Sequence, residues 1–344
     1  MRVLSFSPHD LTAVFKHFEP DRSDRPFKRI HFFGSLFIYT PRLISAILIH
    51  APDPTRLALF LSSVLLKDHQ IRQIARETTK EEINWATASD IAKLVSLSDE
   101  IQTELCDWSR LFVASVLIPL RERRDHCNGV LTGKNSPLPL VELRNQLIAR
   151  DGPVCVIKGA PTLPLAGNFQ PDLRMMPLIP LHLSTHPHFS AMASLLTNKQ
   201  LKARNLSPED LLSPKNWILL DRPHIPGFVQ QVYGIRARKS SKKLRKYTYH
   251  VESAVAEDLN KSKIPQTSFG SVHLSSGIPL PDPEYLNYLL AIARISHASG
   301  AADVMSCYIS TKKIFLNSHS FLNGSDISFR VLENELLPFS EYRA

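Results

Sequence analysis

Four sets of residues in this 344-residue chain have types and spacings that could do chemistry. The first is His224, with Asp221 shortly before it at the end of an apolar strand; a single imidazole makes a poor cation site unless a carboxylate helps it. The second is His182-x-x-x-His186, with His188 beyond it. That spacing puts two imidazoles on one helical face, but Pro187 disfavours helical geometry at His186, so a polar surface loop is the favoured reading over a metal cluster. The third is the run Arg236, Arg238, Lys239, Lys242, Lys243, Arg245 and Lys246, which contains no acid. On one face it could neutralise several phosphates, while a solvated hairpin tip around Ser240 and Ser241 accounts for it equally well. Tyr233, Tyr247 and Tyr249 beside it could stack on bases, yet Tyr247, Tyr249 and Val251 also alternate as one face of a strand. The fourth set is Met176, Trp217 and Phe228, with Met175, Leu178 and the loop 166–175. These could wall an apolar cleft in which His224 works with Asp172 or Asp221 on a small hydrophobic substrate, or they could simply fill a core. Cys155 reads as a small buried hydrophobe with nothing nearby in sequence to activate a thiolate, and His297 as a packed helix histidine.

These residues need elements to hold them. From about 40 to 125 the apolar residues recur at helical spacing: Leu43, Ile47, Leu48; Leu57, Leu61, Leu65; Ile91, Leu94, Val95. Ala51-Pro52-Asp53-Pro54-Thr55 breaks and restarts the helix, because proline lacks a donor and pushes its predecessor out of helical geometry. Thr78 or Thr79, before Lys80-Glu81-Glu82, is expected to cap the next helix. Cys127 to Pro139, with two glycines, Asn128, Asn135, Ser136 and two prolines, reads as a linker. The expected organisation is a helical region over 1–126, a linker over 127–139, a domain of short helices, strands and proline-bearing loops over 140–310, and an extension over 311–344. The fold class is α+β.

Composition bounds the rest. A 43% hydrophobic content is that of a globular chain, and 41 basic against 32 acidic residues gives a net charge of +9. The apolar stretches 35–50 and 57–66 are interrupted by proline and charge, so no membrane span is expected. The first ten residues have too short an apolar core for a secretory signal. The four cysteines lie far apart without a CxxC pair, which argues against a disulfide framework and points to a reducing, intracellular compartment, cytoplasmic or nuclear.

Order along the chain supplies a further clue. Val141 to Gly152 runs into a strand bearing Cys155 and a turn at Lys158-Gly159; then come Met176-Pro177-Leu178-Ile179-Pro180, Asn216-Trp217-Ile218-Leu219-Leu220, Pro223-His224, and the stretch Pro279 to Leu286 leading to Ile292–Ala302. In this order the segments resemble fungal HNH-type nucleases, over roughly 140–304. The resemblance implies an HNH-like ββα unit with a C-terminal helix. It makes Asn216 similar to the residue that orients the catalytic base, His224 similar to a metal ligand, and Pro177 the occupant of the position where the family carries its catalytic histidine. Proline can neither accept a proton nor bind a cation, and losing a general base commonly costs about 10²–10⁴ in rate. The first expectation is therefore a degenerate, pseudo-nuclease protein that retains nucleic-acid binding through Arg236 to Lys246. Two alternatives stand beside it: a metal-independent cyclase or isomerase of fungal secondary metabolism, and an active endonuclease with His182 as base. A divalent metal is the expected cofactor only if nuclease chemistry survives.

Overall fold

The computed structural model describes residues 5–18, 27, 29–31, 37–78, 83–121, 138–157, 173–184, 186, 188–197, 207–239, 247–255 and 277–308. The chain divides into two compact units, one of residues 1–118, 191–198 and 295–344, the other of 119–190 and 199–294. A division into contiguous segments does not anticipate that the first unit takes back two later stretches. The linker expected at 127–139 lies outside the described residues except for Leu138 and Pro139, which begin a helix, and the extension expected at 311–344 lies wholly outside them.

In the first unit α1 (Pro8–Lys16) precedes a short antiparallel pair, β1 (Arg29–His31) and β2 (Phe37–Tyr39). Then follow α2 (Thr40–His50), α3 (Thr55–Leu65), α4 (His69–Glu77), α5 (Trp85–Leu97) and α6 (Asp99–Phe112). A π turn over Val113–Leu117 carries α6 into α7 (Ile118–Arg121). Leu43, Ile47, Leu57, Leu61 and Leu65 are all fully buried, which is what their helical spacing requires. The break between α2 and α3 falls at 51–54, where proline chemistry puts it.

The cap expected near Thr78 lies elsewhere. Thr78 ends α4, its hydroxyl donating to Ile74 O at 2.8 Å, while Asn84 caps α5 by accepting from Thr87 N at 2.8 Å; Thr79 lies outside the described residues. Threonine can close a helix by bonding back a turn as readily as it opens one, and asparagine is the stronger N-cap. Ser7 and Asp10 cap α1 reciprocally, and the second oxygen of Asp10 accepts from Ile83 N at 3.0 Å, tying α1 to the entry of α5.

The second unit begins with α8 (Leu138–Asp151) and pairs β3 (Leu173–Pro177) antiparallel with β4 (Trp217–Asp221). The register runs from Leu173 opposite Asp221 to Pro177 opposite Trp217. Side chains alternate between faces of a strand, so Met175, Trp217, Leu219 and Asp221 share one face. On that face Met175, Trp217 and Leu219 form a core with Leu140, Leu143 and Leu147 of α8. A 3₁₀ turn over Leu181–Ser184 follows β3, and α10 (Pro208–Leu212) precedes β4; between them lies α9 (Phe189–Leu196), which from Ala191 on belongs to the first unit. At the end of α8 the fully buried Arg150 guanidinium bonds both oxygens of Asp151 and the carbonyls of Pro214, Trp217 and Pro279, fixing α8 against the start of β4.

Beyond β4 a 3₁₀ turn, Arg222–His224, opens α11 (Ile225–Val229). The hairpin strands β5 (Tyr233–Lys239) and β6 (Tyr247–Ser253) pair throughout. Tyr249 and Val251 are buried on one face with Ile235 and Ala237, so the alternation read from the sequence is that of a core-facing strand. Helix α12 (Pro283–Ala298) closes the free edge of β5: Asn287 accepts from Ala237 N at 2.9 Å and donates to Ala237 O at 3.1 Å. Gly234 permits this, since a Cβ there would stand 3.1 Å from Leu290 Cα. Helices with antiparallel strand pairs make the fold α+β, and among the described residues no helix is long and apolar enough to cross a membrane.

Three tyrosines of this unit, Tyr249, Tyr285 and Tyr288, are buried, and a fourth, Tyr233, is half-buried. Burial pushes the phenols of Tyr233, Tyr285 and Tyr288 up, and that of Tyr249 from 10.0 to about 12, Asp282 adding to the last. A raised folded value means the unfolded chain ionises first. The stability that these phenols contribute is complete below pH 10 and is lost as pH rises toward the folded values. Urea midpoints measured from pH 8 to 11 are expected to hold and then fall above about 10; a flat profile would show that the phenols are not buried.

Candidate functional site

Among the described residues, one group of metal-competent side chains converges: Cys155 Sγ, Asp221 and His224 offer ligand atoms that all lie within 4.8 Å of one another. Two separate pieces of chain supply them, the stretch 221–224 and the segment of Cys155. Asp221 ends β4 on the face that packs against α8, and α8 leads directly to Cys155. The segment 155–157 is laid along β4 by Val156 N donating to Leu219 O at 3.0 Å. His224 closes the 3₁₀ turn that follows Asp221.

That turn is held by Tyr233, whose hydroxyl donates to His224 O. The tyrosine ring lies over Gly227, where a Cβ would come within 2.5 Å of Tyr233 Cε1, so any larger residue would displace the ring. The Tyr233 phenol is raised first by burial and then by the nearby Cys155 and Asp221, which marks it as part of the same enclosed cluster. Cys155 is 3% exposed and Asp221 8%, whereas the His224 side chain retains 21%, so the imidazole is the part that solvent reaches.

The bonding pattern limits the chemistry. His224 Nδ1 hydrogen-bonds directly to Asp221 Oδ1, and Cys155 Sγ lies 3.9 Å from the same nitrogen. A nucleophilic triad needs the thiol and the carboxylate on opposite ring nitrogens, so that one orients the imidazole while the other gives up its proton. Here both meet Nδ1, an arrangement suited to three donors around one point rather than to a relay. Sequence reasoning missed Cys155, because its partner is 69 residues away along the chain. The signal that could have found it is the shared parity of Asp221 with Trp217 and Leu219, which turns the carboxylate toward the helix that delivers the cysteine.

The other residues singled out from the sequence fall elsewhere. Pro177 and Asn216 lie at the opposite end of the β3–β4 pair from Asp221, about 13–16 Å along the strands at ~3.3 Å per residue. Asn216 is fully buried, and its side chain accepts from Ile179 N and donates to the carbonyls of Ile179 and Leu211. It staples loops and does not approach His224. His182 lies in the 3₁₀ turn beyond that same far end, and His186 follows the turn outside any helix, its ring 6.4 Å from that of His188. His297 lies in α12.

Among the described residues the apolar wall is not assembled either. Register puts Met176 and Trp217 on opposite faces of the pair, Trp217 is part of the α8 core and donates to Leu211 O, and Phe228 is buried in α11. Asp172 lies outside the described residues.

In the basic run, Arg236 and Arg238 both bridge to Glu252 of β6, at 3.1 and 2.8 Å, and Arg294 of α12 joins them at 2.8 Å. Three guanidiniums share one carboxylate, so this face keeps a surplus of positive charge (3 − 1 = +2). Lys239 is exposed at the last strand pair, opposite Tyr247; Lys242, Lys243, Arg245 and Lys246 lie outside the described residues. Comparison of the chain with protein-family models, curated proteins and solved structures finds no match.

Proposed function

We propose that the second unit is an HNH-like frame, impaired in phosphodiester hydrolysis, that serves to bind nucleic acid through the β5–β6 hairpin. The observation that carries this reading is the β5–β6 ladder, paired from Tyr233–Ser253 to Lys239–Tyr247, because it sets Arg236, Arg238 and Lys239 together on one paired strand. The surplus of guanidinium over carboxylate at Glu252 adds fixed positive charge on the polar face of the same hairpin. Impairment is supported by the site: the only metal-competent group among the described residues contains one imidazole, with no second histidine beside it as a general base. The HNH-like frame is supported by the β3–β4 pair followed by the His224 turn and α11.

The expected result is salt-dependent binding of DNA or RNA, with affinity falling steeply as ionic strength rises. The triple variant Lys242→Ala, Lys243→Ala, Arg245→Ala should flatten the log–log salt slope by about 2.7, at about 0.9 for each phosphate no longer neutralised. Glu252→Gln should tighten binding, because it releases the arginines from their shared carboxylate. An unchanged slope in the triple variant removes the hairpin from the reading. Rapid plasmid cleavage with magnesium or manganese that disappears in His224→Ala removes the impairment.

A further inference from the structure

We propose that Cys155 Sγ, Asp221 Oδ1 and His224 Nδ1 bind one transition-metal ion of the zinc class and leave a fourth position open to water. This does not rest on the nucleic-acid reading; it stands on the convergence of three donors, two of them largely buried.

Geometry supports it first. Around a tetrahedral ion with arms of about 2.0–2.3 Å, neighbouring donors of this set stand roughly 3.3–3.6 Å apart. The Cys155 sulfur and His224 Nδ1 are already 3.9 Å apart. Asp221 and His224, which touch directly, need only part by a small rotation of side chains carried on a strand end and a turn.

The donor set then selects the ion. A thiolate beside an imidazole nitrogen and a single carboxylate oxygen suits zinc or cobalt, whereas magnesium and calcium take oxygen ligands and would gain nothing from the sulfur. Three protein donors, one fewer than a closed shell, is the pattern of a working zinc site, and the solvent-facing side of His224 is where the fourth ligand enters. An ion there would acidify its water toward a pKa of about 7.

The surroundings are built to keep the donors in place. Val156 anchors the cysteine segment on β4, and Tyr233, seated on Gly227, clamps the His224 carbonyl. The phenol is spent on that carbonyl, so Tyr233 is a positioning residue and not a fourth donor.

Cobalt(II) titration of the purified full chain tests this. One equivalent should bind, with a near-ultraviolet sulfur-to-cobalt charge-transfer band and visible bands of tetrahedral intensity; zinc should displace it and millimolar magnesium should not. Cys155→Ser should abolish the charge-transfer band, while Cys307→Ser, at an exposed position, should leave it intact. Asp221→Asn and His224→Ala should each weaken cobalt binding by more than about 100-fold, since even residues that only support a ligand cost 10–100-fold. If Cys155→Ser does not fold, the other two variants decide. Absence of stoichiometric binding by the wild-type chain, a band that survives Cys155→Ser, or unchanged affinity in both Asp221→Asn and His224→Ala overturns the proposal.

Discussion

Arg150→Ala is expected to lower the stability of the protein by about 3–5 kcal/mol. The guanidinium is 1% exposed and makes two bonds to Asp151, at 2.9 and 2.6 Å, and one each to the carbonyls of Pro214, Pro279 and Trp217, at 2.7, 3.1 and 2.9 Å. Truncation leaves a buried carboxylate without its counter-charge and takes a donor from three carbonyls, of which Pro214 O keeps Trp217 N, and each orphaned group costs its desolvation in full. Lysine cannot rescue the site, because one ammonium cannot span a bidentate carboxylate and three carbonyls at once. Replacing the pair together, Arg150→Met with Asp151→Leu, should recover part of the loss, since the charge that made the single change costly is then gone. Denaturant unfolding measures both variants. A loss under about 1 kcal/mol in the single variant would mean that the interaction is solvated, as surface pairs are.

Arg150 also shows where sequence reading succeeds and where it stops. The helix that carries Arg150 and the strand over 216–220 were expected only from the resemblance; the break between α2 and α3 at its prolines and the alternating face of Tyr249 and Val251 were legible in the residues themselves. These depend on local periodicity and on the backbone chemistry of single residues. What the guanidinium touches was not legible, because Pro214, Trp217 and Pro279 meet it only after distant segments have packed. The candidate site divides the same way. Asp221 beside His224 is a local fact and could be read; Cys155 beside His224 is a tertiary one and could not. Likewise the order of segments suggested that Pro177, Asn216 and His224 share a centre, yet only strand register could show that the first two lie at the far end of β3–β4.

That separation gives Asn216 an expected phenotype unlike that of a catalytic residue. Asn216→Ala should cost about 2–4 kcal/mol of stability. The side chain is fully buried and makes three bonds: it accepts from Ile179 N at 2.8 Å and donates to Ile179 O at 2.8 Å and Leu211 O at 3.0 Å. Its own backbone carbonyl takes Leu178 N at 2.7 Å, so this one residue extends the β3–β4 ladder past its last strand pair. Alanine keeps the backbone bond and takes the amide from Ile179 N and Ile179 O, while Leu211 O keeps the Trp217 indole. Asn216→Asp should cost more, because a carboxylate still accepts from Ile179 N but repels the two carbonyls that the amide had bonded, and it buries a further negative charge. Both variants, at temperatures where they remain folded, should bind cobalt with the wild-type spectrum, since the donors lie about 16 Å away along β4. A residue that oriented a base for the His224 centre would do the reverse, leaving unfolding unchanged while altering the chemistry at the metal. Denaturation midpoints and cobalt spectra on the same two proteins therefore decide between a staple and a catalytic partner. Wild-type stability with a changed spectrum would return Asn216 to the active centre and require β3 and β4 to pair in another register.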